Sequence, residues 1–535
     1  MKNTSIGKLI AVFLSILLCF GFILSCDGTN TPVPDDSTNQ NSNNSTNQNG
    51  NSSSTNQNGN NSSSTTTTTV EEEQVIPNDE LAVEVEDTTY DWADWTAPAE
   101  IPYEAPVDDI TIKKLQMISI GPGANCSTEM TINWHSYEPV NYVEYTMADD
   151  TAFANSRKVW LKAELTKGSF TVNGKVYGWN DGSKNDNTKF YVCKTDLTKL
   201  KPNTDYIYRV GTHADQSDTY KFKTAGKDGG VFSFFWASDL HTPKGDSSYI
   251  KNITDLINYS NVNLKKEGLP EIGFALFTGD LVNEGGIYKD WTYWDSIAAL
   301  KNYMFATITG NHDYYWDKNH DGRVSNRWQL ECTAYPATNT YTKSGSLKTL
   351  PPSNYWFLYN KVLFIGIDSM GEESVDPDGK TDITAQKAWF KAVVEENKGK
   401  FNYIVAHQHF AYLVNNEAHD WGPFNDWYTY YTNYGVDFAL GSDSHEYSRT
   451  YEIRGSKSPV KNGRTGTVYV TSPMTEGTIG GVTYQADTTK PAEFYGGGCV
   501  AGAYFVVDSN KMTLNVVGKD GTIYDTKSVG RKTRE

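Results

Sequence analysis

The chain has 535 residues, 38% of them hydrophobic and 13% aromatic, which is enough to bury the cores of two or three folded units and excludes a wholly disordered protein. Its formal charge of −18 excludes a general nucleic-acid or anionic-membrane binder, because such proteins meet phosphate with basic faces.

At the N-terminus, Lys2 and Lys8 precede an apolar run from Leu9 to Leu24 that ends at Ser25-Cys26. This reads as an export signal over residues 1–26, too short for a comfortable membrane span. Ile23-Leu24-Ser25-Cys26 resembles a bacterial lipobox, which implies a mature chain starting at a lipidated Cys26, anchored to a bacterial membrane in the periplasm or at the cell surface. Residues 27–69 are almost wholly Asn, Ser, Thr, Gln and Gly, so they are expected to be a flexible stalk. Residues 70–109 are acidic and interrupted by Pro98, Pro102 and Pro106, which suits an extended linker in which Trp92 and Trp95 can dock on the body.

From residue 110 to 226 the texture is short strand-like runs between turns: Met130-Trp134, Tyr142-Tyr145, Phe190-Val192 and Tyr206-Val210. They predict a small β-sandwich. Cys126 and Cys193 fall in this region and are free to pair, although Cys332 and Cys499 leave other connectivities and unpaired thiols open. Leu200-Lys-Pro-Asn-Thr-Asp-Tyr-Ile-Tyr-Arg209, followed by Tyr220-Lys-Phe-Lys-Thr224, resembles the last strands of the fibronectin-III-like domain that precedes the catalytic domain of purple-acid-phosphatase-type enzymes.

Residues 227–535 change to buried apolar runs alternating with helical patterns, the signature of an α/β layer structure. Thr381-Asp382, for example, can cap a helix carrying Trp389, Phe390, Val393 and Val394 before Gly399. Five apolar runs end in groups that bind metals: Val231-Ala237 before Asp239-Leu-His241, Ile272-Thr278 before Gly279-Asp280, and Phe305-Thr309 before Gly310-Asn-His-Asp313. The other two are Tyr403-Ala406 before His407, and Val436-Leu440 before Gly441-Ser-Asp-Ser-His445. The carboxyl ends of strands are where α/β sheets build sites. Runs at Thr467-Ser472, Tyr504-Val507, Leu514-Val517 and Gly521-Tyr524 are expected to complete the sheets.

In that order, DxH, GD, GNHD, H and a final His445 resemble the calcineurin-like metallophosphoesterase family across roughly residues 230–530. The resemblance implies an αββα metallophosphoesterase fold, a β-sandwich flanked by helices, and a hydrolase of phosphate mono- or diesters that uses a metal-activated water. It implies two divalent or trivalent ions, Mn, Fe or Zn. Asp239, His241, Asp280 and His445 would hold one; Asp280, Asn311, His407 and Asp443 would hold the other. His312 would protonate the leaving group or bind the phosphoryl group, oriented by Asp313, and Arg449 is a candidate substrate contact. Asp443 stands where the family usually has histidine, adding a negative charge to the site; His409, two residues beyond His407, is the alternative donor. His241 and Val282-Asn283 depart from the purple phosphatases, which lack that histidine and carry a tyrosine shortly after GD. Tyr314-Tyr315-Trp316 and Trp421, Trp427, Tyr428, Tyr430 and Tyr431 can stack on an aryl group or pack the core. A surface binding protein on a degenerate version of the same fold is the competing function, prompted by Asp443 and the anchored stalk.

Overall fold

The computed structural model describes residues 95–532, apart from 182–184, 244–247, 320–321, 337, 339–349, 415–416, 419–426, 455–457, 460–465, 473–481, 484–491 and 498–500. The signal segment with Cys26, the stalk, Trp92, Trp421 and Cys499 lie outside the described residues. The chain divides into Met1–Val70 and Glu71–Glu535, and everything that follows belongs to the second unit.

Alternating apolar residues in the first part form two antiparallel four-stranded sheets. One runs in the order Gln116–Pro122, Met130–Ser136, Tyr191–Leu197, Glu164–Leu165; the other runs Tyr220–Lys223, Asp205–Gly211, Val140–Met147, Arg157–Lys162. Trp134, Tyr145, Tyr206 and Tyr208 fill the space between them and are fully buried. Cys126 and Cys193 are buried here as free thiols, so the open question of their pairing resolves without a disulfide.

The second part is α/β. A six-stranded sheet orders Met304–Thr307, Ile272–Phe277 and Phe232–Ala237 in parallel, then continues antiparallel through Ala501–Val507, Lys511–Gly518 and Ile523–Gly530. A second sheet has a parallel centre of Val362–Ile367, Tyr403–Gln408, Phe438–Gly441 and Thr467–Thr471. The two sheets face each other through aromatic side chains: Phe234 and Phe274 of the first stand edge-on to Phe364 of the second at 5.3 and 5.4 Å. Strands with both faces covered must be apolar throughout, which is why the runs carry little alternation. Helix Ile383–Glu396 covers the second sheet with Phe390, Val393 and Val394, and Asp382 caps it by accepting from the N–H groups of Thr384 and Ala385. Helix Ser248–Lys266 lies against strand Ala501–Val507 of the first sheet.

The hydrophobic core is continuous from the sandwich into the six-stranded sheet. At the junction Gln116 Nε2 donates to the Tyr288 hydroxyl at 2.7 Å, and the two ring nitrogens of His135 lie 2.8 Å from the Tyr288 hydroxyl and from the Glu331 carbonyl oxygen.

Candidate metal centre

The parallel strands of both sheets deliver their following loops to one place. Asp239 and His241 follow Phe232–Ala237, Asp280 follows Ile272–Phe277, Asn311 lies beyond Met304–Thr307, His409 is one residue past Tyr403–Gln408, and Asp443 and His445 follow Phe438–Gly441. Two glycines allow the close approach. A Cβ on Gly310 would lie 2.1 Å from Asp280 Oδ1, and one on Gly279, whose φ is +100°, would lie 2.5 Å from His409 Nδ1. Asp239, His241, Asp280, Asp443 and His445 themselves have φ between 47° and 81°, a left-handed conformation uncommon for non-glycine residues and here repeated at each of these turns.

Asp239, His241, Asp280 and His445 present donor atoms that all lie within 4.8 Å of one another. His241 Nε2 is 3.2 Å from His445 Nε2 and 3.6 Å from Asp280 Oδ2, and His445 Nε2 is 3.5 Å from Asp239 Oδ1. On the other side of Asp280, His409 Nε2 is 3.4 Å from the same Oδ2, 3.0 Å from Asn311 Oδ1 and 3.5 Å from Asp443 Oδ1. Donors about 2.0–2.2 Å from a shared ion stand about 3.0–3.5 Å apart at neighbouring coordination positions, so both groups have the spacing of a ligand set. Nitrogen mixed with carboxylate oxygen suits Mn, Fe or Zn.

One member of the expected set stands apart from this cluster. His407 is buried with its Nε2 on the Tyr355 hydroxyl at 2.8 Å, has no carboxylate in ion-pair reach among the described residues, and is held neutral by burial, which pulls its pKa down to about 3. His409 faces the cluster instead. Its Nδ1 lies 2.7 Å from the Thr278 carbonyl and 2.9 Å from Ser442 Oγ, so Nδ1 is engaged as a donor and Nε2 is turned to the acidic cluster. Asp443 joins His409 rather than competing with it, and is 40% exposed at the rim while His409 is wholly buried.

Burial opposes ionisation of Asp280, yet the surrounding His409, His312 and His241 hold its carboxyl well below the usual range. The backbone N–H of His312 also donates to Asp280 Oδ1 at 3.0 Å, and its ring packs edge-on to His241 at 4.4 Å. Its Nδ1 is 2.8 Å from the Asn283 carbonyl, so Asn283, not Asp313, orients the ring. Asp313 instead ties the loop after Asp280 to the Asn311 turn, with Oδ1 accepting from the N–H groups of Leu281 and Val282 and Oδ2 from that of Gly310. Asn311 Nδ2 donates to the Tyr315 hydroxyl at 3.3 Å, which aims Oδ1 inward.

Arg449 is engaged elsewhere. Its Nε and Nη2 form a paired contact with Asp525 at 2.6 and 3.0 Å, and the side chain is buried, so it braces one sheet against the other's edge strand. Trp427, Tyr428 and Tyr431 are core residues of the second sheet. Tyr314 is buried on Asp368, which leaves Tyr315, 5.1 Å from His312, as the aromatic beside the centre. The roles of Ser442, Thr278 and Asn283 are not legible in the motifs, because they act on the centre through backbone carbonyls and a hydroxyl.

Comparison with known proteins bears on the fold. Residues 232–447 match the calcineurin-like phosphoesterase family, and residues 116–224 match the purple acid phosphatase N-terminal domain. The uncharacterized proteins Rv2577 and MT2654 of two Mycobacterium tuberculosis strains are each 21% identical over 354 residues. Each match covers 62% of this chain and 62% of the relative's length. The purple acid phosphatase PPD1 of yellow lupin seeds shares the fold with a TM-score of 0.58 at 15% identity, covering 78% of this chain and 75% of that one.

Proposed function

We propose that this chain, a calcineurin-like phosphoesterase domain behind a purple-acid-phosphatase-type N-terminal domain, is a two-metal phosphoric ester hydrolase that works outside the cytoplasm from a lipid anchor at Cys26. One observation carries the chemistry. Asp280 Oδ2 lies 3.6 Å from His241 Nε2 and 3.4 Å from His409 Nε2, a single carboxylate shared between two donor groups. Asp239, His241, Asp280 and His445 would hold one ion, and Asp280, Asn311, His409 and Asp443 the other. Such a pair supplies neutralisation of phosphoryl charge and activation of water at neutral pH.

The remaining work belongs to side chains. His312, whose ring is positioned by the Asn283 carbonyl at Nδ1, gives a proton to the departing oxygen or holds the phosphoryl group. Asn311, fixed between Tyr315 and His409, presents its carbonyl oxygen at the same spot. The substrate class is a small phosphate mono- or diester.

Elemental analysis together with hydrolysis of an aryl phosphate and an aryl phosphodiester tests this reading. Asp280→Asn should lower occupancy of both ions and abolish hydrolysis, whereas full occupancy in that variant overturns the shared-carboxylate assignment. The location rests on Ile23-Leu24-Ser25-Cys26. Cys26→Ser should release the protein from the detergent phase, and a mature chain that starts elsewhere without lipid overturns the anchor.

A further inference from the structure

Between the sandwich and helix Arg327–Cys332 lies a cavity of about 330 Å³, with no residue of the metal centre in its lining. Leu161, Val192 and Leu330 give it apolar walls, and Lys194, Lys167 and Arg327 bring positive charge. The charged groups differ in how far they are already committed. Arg327 Nε lies 2.7 Å from Asp376 Oδ2, and its guanidinium rests 4.5 Å above the Phe170 ring. Glu331, the carboxylate in the wall, accepts from the Thr166 hydroxyl at 2.6 Å and from the Lys167 N–H at 2.9 Å. Glu164 lies on an exposed edge strand, and Lys162 pairs outward with Glu104 at 2.6 Å.

Lys194 is different. It sits mid-strand in Tyr191–Leu197, and its ammonium has neither a hydrogen bond nor an ion pair to any described residue. Burial pulls its pKa down to about 8. Asp196, Glu331 and Glu164 attract the half-buried ammonium only at longer range, and an anion entering the cavity gives it a direct partner. The volume lies at the small end of ligand sites, about 300–1,000 Å³, and suits a single ring or short chain.

We propose that this cavity binds a small organic anion, with a carboxylate-type head on Lys194 and an apolar body between Leu161, Val192 and Leu330. A site of this kind recognises charge and hydrophobic bulk together, so neither a neutral isostere nor a bare inorganic anion satisfies it.

Trace acetylation of the full-length, metal-loaded protein with acetic anhydride, read at Lys194 by peptide mass spectrometry, tests the site directly and separately from the metal centre. Benzoate should slow acetylation of Lys194 in a saturable way, while benzamide and inorganic phosphate should have little effect. Leu161→Trp, which fills the cavity and leaves the lysine in place, should remove the benzoate effect with metal content unchanged. By calorimetry, Lys194→Gln should weaken benzoate binding about tenfold or more, the size expected for loss of a charged hydrogen-bond partner. Equal protection by benzamide or by phosphate, no protection by benzoate, or a Lys194 that resists acetylation without ligand would each overturn the proposal.

Discussion

At the scale of single residues, the centre turns on which of two histidines faces Asp280. His407 and His409 follow the same apolar run two residues apart, and side-chain alternation puts both on one side of an unbroken strand. Nothing in the sequence tells where the strand stops. It stops at Gln408, so His407 stays in the sheet against Tyr355 and Gly366 while His409 turns into the loop and reaches Asn311 and Asp280. The expected outcome is asymmetric. His409→Ala should empty the second metal position, keep the first, and cut hydrolysis by roughly 10²-fold or more. His407→Ala should keep both metals and cost roughly 2 kcal/mol of stability through the cavity and the stranded Tyr355 hydroxyl. Metal counting and thermal unfolding on the two variants separate the roles, and loss of metal in His407→Ala would reverse them.

At the scale of elements, the motifs were legible because each is a buried strand followed by a turn that only certain residues can make. The runs ending at Ala237, Phe277 and Gly441, and the helix Ile383–Glu396 capped by Asp382, lie within a few residues of their expected places. What could not be read is any role that depends on a partner far along the chain. Arg449 follows the last metal motif closely enough to suggest substrate, yet its partner Asp525 is 76 residues away on the edge strand of the other sheet. The turn at Gly310 shows how tightly an element is tuned to the centre. It has an ordinary extended φ of −91°, so glycine is required there for space alone, against the carboxylate and the backbone nitrogen of Asp280. Gly310→Ala should therefore displace Asp280 and lower the occupancy of both metals, with far less effect on the fold than on the centre, because the strands on either side keep their pairing. Circular dichroism beside elemental analysis checks this, and full metal content in the variant would show that the loop yields instead.

For the molecule as a whole, the sandwich is not an independent bead, since its core runs on into the six-stranded sheet and its polar contacts cross the junction. His135 lies at the centre of that junction, fully buried, stacked on Phe190 at 4.0 Å and bonded to Tyr288 and the Glu331 backbone. Burial pulls its pKa down to about 3. Tyr288 and Gln116, which face it, carry no charge to offset a proton, because burial pushes the Tyr288 phenol well above its usual value. The unfolded chain binds a proton at His135 below about pH 6.5, whereas the folded chain does so only near pH 3. Stability is therefore complete above about pH 6.5 and falls as the pH drops below it, by about 1.4 kcal/mol per pH unit from this residue. His407, similarly buried, acts in the same direction. His135→Gln keeps one donor and one acceptor for the same two partners and removes the titration. Its unfolding midpoint should lie close to the parent's at pH 7.5 and fall less steeply between pH 6.5 and 5. Because the junction joins both parts of the molecule, that difference should appear in a single transition followed by both near- and far-ultraviolet circular dichroism. Identical acid limbs for the two proteins would mean that His135 is already protonated in the folded state, and that the junction accommodates a buried charge.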